Sequence, residues 1–185
     1  MSENCCPPEG ADAAAGSSEA RAAPARSGRP ATLACPTCGQ TGRPVDTITV
    51  KALLAVPLTE LRAGEYRFCR TVECPTVYYA AGGEQTFAEN ALRERVHQKH
   101  LLDDAVFVCY CFRHTPESIK EEVRATGRST VVQRVTAGIQ EEQCACEIRN
   151  PQGSCCLGNV RAVVKRVTGA QATSPQGARD RVTAS

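Results

Sequence analysis

The sequence has 185 residues, with 22 Lys and Arg against 20 Asp and Glu, no Trp, four Phe, four Tyr and twelve Cys. That length allows one or two small domains, and the interspersed charges form no Lys/Arg stripe that would grip nucleic acid by electrostatics. No run approaches the roughly 18 apolar residues of a membrane-spanning helix, and no basic start leads into an apolar secretory segment, so a cytoplasmic protein without membrane insertion, its thiols reduced, is the expectation.

Residues 1–31 are rich in Ala, Gly, Pro, Ser and Arg without periodicity, the composition of a disordered tail. They carry Cys5 and Cys6, adjacent thiols that suit a soft ion such as Cu(I) or Hg(II), or else serve no metal at all. The expected fold class is α+β: a small zinc-ribbon-like β domain over residues 32–104, a small helical domain over 105–168, and a second disordered tail over 169–185.

In the first domain, CPTCG spans Cys35 to Gly39, and Leu53, Leu54, Leu58 and Leu61 suit a short helix or a covering loop. Tyr66 and Phe68 alternate with polar residues before Cys69, and Val77 and Tyr78 lead a second apolar run to the Gly82-Gly83 turn. That pattern is two or three short strands joined by turns. Two residues separate Cys35 from Cys38 and four separate Cys69 from Cys74. A core poor in aromatics needs staples, and two thiolate pairs on turns suit tetrahedral Zn²⁺, with four sulfurs at about 2.3 Å and no open position. A redox iron of the same geometry is the alternative. His97 and His100, three apart, are expected on a helix as a solvated surface pair rather than as ligands.

The domains divide at Leu101–Asp104. In the second, Thr115-Pro116-Glu117 starts a helix with Thr as cap and Pro in the first turn. Ile119 and Val123 follow at helical spacing, and Gly127 ends the helix. Ser129 or Thr130 caps a second helix bearing Val131, Val132, Val135 and Ile139, and a last helix carries Leu157, Val160, Val163, Val164 and Val167. Cys109 and Cys111 flank Tyr110, Cys144 and Cys146 flank Ala145, and Cys155 and Cys156 are adjacent. A Cys-x-Cys pair strains to chelate one ion but can place both thiolates on one iron of a [2Fe-2S] cluster, whose second iron takes two more from a distant loop. The Asn150–Ser154 turn brings Cys146 toward Cys155 and Cys156, so Cys144 is the first to drop out. The fourth ligand stays open between Cys155 and Cys156, and a second zinc site is the alternative to the cluster. The last helix would present its N–H groups and dipole to an anionic centre.

The strings CYCFRHT and, after a helical stretch, a second cysteine group resemble the [2Fe-2S] domain of bacterioferritin-associated ferredoxin. The fuller pattern, CPTCG, FCRTVECPTVYY, VCYCF and CACEIRNPQGSCCLGNV, resembles the zinc and [2Fe-2S] amino-terminal region of CopZ-type copper chaperones, from about Ala34 to Val167. The resemblance implies zinc on Cys35, Cys38, Cys69 and Cys74, and a cluster on Cys109, Cys111, Cys146 and one of Cys155 or Cys156. It implies an electron-transfer or redox module in copper or other soft-metal homeostasis, with reduction of Cu(II) to Cu(I) as one task and a copper-transporting ATPase or similar protein as partner. The redox partner stays unnamed. One departure stands out: Met1 is the single Met, so the Met-x-Cys-x-x-Cys loop of the heavy-metal-associated copper domain is missing. Arg113 and Arg149 either tune the cluster potential or are ordinary surface residues. No Ser/His/acid grouping, phosphate loop or paired-carboxylate signature appears, so the chain is not expected to be an enzyme. An adaptor whose cluster only senses oxidants is the alternative function.

Overall fold

The computed structural model describes residues 33–172, with side chains as far as Gly169. Cys5, Cys6 and the whole of the expected tail over 1–31 lie outside the described residues, as does the expected 169–185 tail from residue 173 onward.

Four short strands form an antiparallel meander: β1 (Arg43–Val45), β2 (Tyr66–Phe68), β3 (Thr76–Ala80) and β4 (Thr86–Ala88). Tyr66 lies opposite Ala80 and Phe68 opposite Tyr78. The hairpin expected around Cys69 and Cys74 is therefore present, and Gly82-Gly83 lies in the turn to β4. Every residue of β3 is buried, because this inner strand is covered on both faces. Side chains alternate across a strand, so Tyr78 enters an apolar core with Val45, Val50, Leu54, Phe68, Phe87 and Val96. Tyr79 packs instead among Cys35, Cys69 and Cys74.

Helix α1 (Thr47–Leu53) covers the first core. Asp46 caps it, its carboxylate accepting from the Ile48 N–H at 3.0 Å. The Leu53–Leu61 stretch thus divides: Leu53 closes α1, and Leu58 sits on a 3₁₀ turn with half its surface exposed. His97 and His100 depart from expectation. They sit on and beside a 3₁₀ turn, His97–Lys99, and His97 is only 4% exposed. The cause is tertiary: the Tyr110 hydroxyl accepts the His97 backbone N–H at 2.9 Å and pulls the turn inward. Burial, with Arg166 nearby, holds the His97 imidazole below its usual basicity. His100 pairs with Glu89 at 2.7 Å.

The second unit is helical: α2 (Pro116–Thr126), α3 (Val131–Gln140), α4 (Cys146–Arg149) and α5 (Leu157–Ala172). Helix α2 opens with a reciprocal cap between Thr115 and Ser118, with Pro116 in its first turn, and ends at Gly127 with φ 74°. Of the two candidate caps for α3, Ser129 Oγ accepts from the Val131 N–H at 3.2 Å, and Thr130 donates to Glu122 at 2.7 Å instead. Helix α5 runs to Ala172, past the boundary expected at 168. Val108, Ile119, Val123, Val131, Val135, Val160 and Val163 form this unit's core. On α3, Gly138 faces the Phe112 ring: an added Cβ would lie 2.9 Å from Phe112 Cε1. Gly138→Ala is expected to lower stability, since overpacking costs about 1–3 kcal/mol and the propensity gain returns only about 1 kcal/mol. Urea unfolding of the zinc-loaded chain measures this, and an unchanged midpoint would show the ring swinging aside.

The two units share a seam, along which α1 packs on α4. Asp104 binds Lys120 and its carbonyl accepts from the Glu117 N–H at 3.1 Å.

Candidate metal centres

The first quartet is assembled by the two turns that flank the sheet. Gly39 takes φ 73° and donates to the Cys35 carbonyl at 2.8 Å, closing the first turn. Cys69 donates to the Val77 carbonyl at 2.8 Å and Cys74 to the Thr71 carbonyl at 3.2 Å, closing the second. Thr37 and Thr76 join the turns through their hydroxyls at 2.7 Å. The sulfurs of Cys35, Cys38, Cys69 and Cys74 all lie within 4.8 Å of one another. Cys35 and Cys74 are 3.9 Å apart, and Cys38 and Cys69 3.6 Å. Four sulfurs at tetrahedral corners 2.3 Å from one ion stand about 3.8 Å apart, so these residues fit a closed zinc site.

Backbone donors surround the sulfurs, while burial opposes their ionisation. The N–H groups of Gln40, Thr71 and Thr76 point at the sulfurs of Cys38, Cys69 and Cys74, each from two residues ahead. The Thr71 hydroxyl, 3.4 Å from the Cys38 sulfur, is the main reason that thiol is drawn down to about 6. Burial pushes Cys69 up to about 12. The quartet without metal therefore shares protons unevenly, and zinc must displace those that remain. Lys99, whose ammonium donates to the Thr71 carbonyl at 2.6 Å, places a positive charge beside Cys69.

The second cysteine group gathers from three places: the Cys109–His114 turn, the start of α4, and the loop before α5. Cys111 and Cys146 have their sulfurs 3.8 Å apart. Cys156 is buried in one cluster with Cys109 and Cys146. These close contacts run between the loops, not across the Cys109–Cys111 step. The Ala145 N–H donates to Cys111 at 3.3 Å, and the Cys156 N–H points at the Cys146 sulfur. The Cys156 side chain draws the Cys109 thiol to about 7 and Cys146 to about 6; burial pushes Cys111 to about 12. Cys156 is 2% exposed and its thiol is held far up by the same two neighbours. Cys155 faces outward, onto a polar cleft of about 260 Å³ that Arg43 and Arg70 also line. Cys144 is half-buried beside Cys146.

His97 and His100 do not join either group. Arg113 stacks its guanidinium 4.0 Å from the Phe107 ring centre and pairs with Glu94 at 3.2 Å, while Arg149 ends α4. Sequence reasoning passed over Thr71, Thr37 and the tyrosines, which act across the fold. The signal for Thr71 was its place between two ligands, where a hydroxyl can reach a sulfur.

Among the described residues, no helix is long and apolar enough to cross a membrane. No curated protein matches the chain. The X-ray structure of the Archaeoglobus fulgidus CopZ N-terminal domain is similar, at 28% identity and a TM-score of 0.58, over 70% of this chain and 96% of that one. Residues 32–93 match the CopZ zinc binding domain family, and the chain thus carries a CopZ-like zinc-binding domain whose cysteine quartet can hold a metal.

Proposed function

We propose that the chain is a two-centre metal protein of the cytoplasm, with zinc shaping the first unit and a [2Fe-2S] cluster on Cys109, Cys111, Cys146 and Cys156. The convergence of those four sulfurs from three separate loops carries the reading. The donor set is all thiolate, the usual set for such clusters. A bound cluster would supply one-electron exchange, which zinc cannot. The residues themselves bury the sulfurs, aim N–H groups at them and leave Cys155 outside.

The likeness to a CopZ domain supports a role in copper or other soft-metal homeostasis, as an electron carrier rather than an enzyme, with a copper-transporting ATPase or similar protein as partner. The half-buried Cys144 thiol beside Cys146 favours a second reading, an adaptor whose centre senses oxidants, because a spare thiol can exchange for a ligand. Anaerobic purification followed by metal and acid-labile sulfide analysis tests the proposal. One zinc, two irons and two sulfides per chain are expected, with reversible one-electron reduction. Zinc alone removes the cluster, and a cluster lost on the first redox cycle favours the sensor.

A further inference from the structure

Tyr78 and Tyr79 are neighbours on β3 and serve different centres. Tyr79 lies among the zinc cysteines, its hydroxyl donating to the Leu33 carbonyl at 2.7 Å and accepting from the Gly42 N–H at 2.6 Å. Tyr78 leaves by the other face and donates to the Pro151 carbonyl at 2.6 Å, far along the chain. Pro151 belongs to the turn that separates Cys146 from Cys156. Asn150, fully buried, closes that turn by donating to the Ser154 carbonyl at 2.6 Å. Gly153, at φ 64°, completes it against β1 and α1, where an added Cβ would meet Val45 Cγ2 at 2.9 Å and Thr49 Oγ1 at 3.0 Å.

The other ligand loop is tied to the same unit. Tyr110, between Cys109 and Cys111, donates to the Arg95 carbonyl at 2.7 Å and accepts from the His97 N–H at 2.9 Å. Gln98 donates to Gln152. The turn that carries Cys109 and Cys111 and the turn between Cys146 and Cys156 are therefore both seated on the unit that zinc closes. Strand β3 is the link, since Thr76 begins it just after Cys74, and Val77 accepts the Cys69 N–H.

We propose that Tyr78 is a positioning residue for the second centre, and that β3 makes closure of the second quartet depend on zinc in the first. This deepens, and rests on, the reading of Cys109, Cys111, Cys146 and Cys156 as one centre. Zinc orders β3, β3 presents the Tyr78 hydroxyl, and that hydroxyl fixes the turn which turns Cys156 inward and Cys155 outward. Metal loading is consequently ordered, zinc before iron.

Hydrogen exchange read by mass spectrometry on the full-length chain tests it. In zinc-loaded Tyr78→Phe, amides of residues 150–156 should exchange about tenfold faster, the loss expected when one buried hydrogen bond goes unmade. The zinc content and the protection of residues 35–45 should not change. Gly153→Ala should unseat the same turn without touching β3, which covers the case in which the first variant fails to fold. Removing zinc from the wild type should expose residues 150–156 while α2 and α3 stay protected. In iron-loaded protein, Tyr78→Phe should also shift the visible spectrum. Unchanged exchange at 150–156 in both variants, or in the zinc-free chain, overturns the proposal, as does a loss spread equally over α2 and α3. A wild type that takes up no iron would sink the cluster reading alone, because the exchange arms still decide the coupling.

Discussion

Cys69→Ser is expected to abolish zinc binding and collapse the first unit. The Cys69 side chain is 1% exposed and its sulfur stands 3.6 Å from that of Cys38. Serine at this place supplies a poorer ligand and leaves three thiolates crowded around an incomplete site. Structural zinc contributes on the order of 10 kcal/mol or more to small domains, against about 5–15 kcal/mol of total stability for an ordinary one. The sheet cannot absorb that loss: β1, β2 and β4 are three residues each, and β3 relies on Cys69 and Cys74 to hold its start. Zinc analysis and near-ultraviolet circular dichroism should register the loss together, with a melting transition that disappears or falls by tens of degrees. A variant that kept one zinc per chain and its dichroism would show that three thiolates suffice.

The paired variants Cys156→Ser and Cys155→Ser are expected to behave oppositely despite their adjacency. Cys156 lies against Cys109 and Cys146 at 2% exposure, whereas Cys155 faces the Arg43 and Arg70 cleft. Loss of Cys156 should remove the visible absorbance and the iron while zinc stays at one per chain. Loss of Cys155 should leave colour, iron and zinc within error of the parent. Colour retained without Cys156 and lost without Cys155 would reverse the assignment. Cys144→Ser belongs in the same series and should retain the iron.

The first quartet could be read from sequence because its information is local. Each cysteine pair lies on one tight turn, and Gly39 marks the positive φ that the first turn requires. The same holds for α2, whose Thr115-Pro116 start and Gly127 stop are fixed by bonds within four residues. The choice between Cys155 and Cys156 could not be read. Adjacent residues differ only in which way they face, and the turn that leads to them is held by a hydroxyl on β3, more than 70 positions earlier in the chain. His97 misled for a related reason. A spacing of three suggests a helix surface, but the N–H captured by Tyr110 draws the histidine inside. Thr130 does hold the N-cap position of α3, yet Glu122 takes its hydroxyl and Ser129 Oγ accepts the Val131 N–H instead.

All four tyrosines, Tyr66, Tyr78, Tyr79 and Tyr110, are at most 3% exposed. The hydroxyls of Tyr78, Tyr79 and Tyr110 donate to the carbonyls of Pro151, Leu33 and Arg95, and that of Tyr66 lies against both the Gln85 amide oxygen and the Arg62 carbonyl; burial raises the pKa of every one. Because the chain lacks Trp, these rings dominate its ultraviolet emission, and none lies beyond Tyr110. Intrinsic fluorescence therefore watches the sheet and the seam and is blind to the helices that follow. Alkali should convert the phenols to phenolates in one step, as the interior opens, instead of one ring at a time.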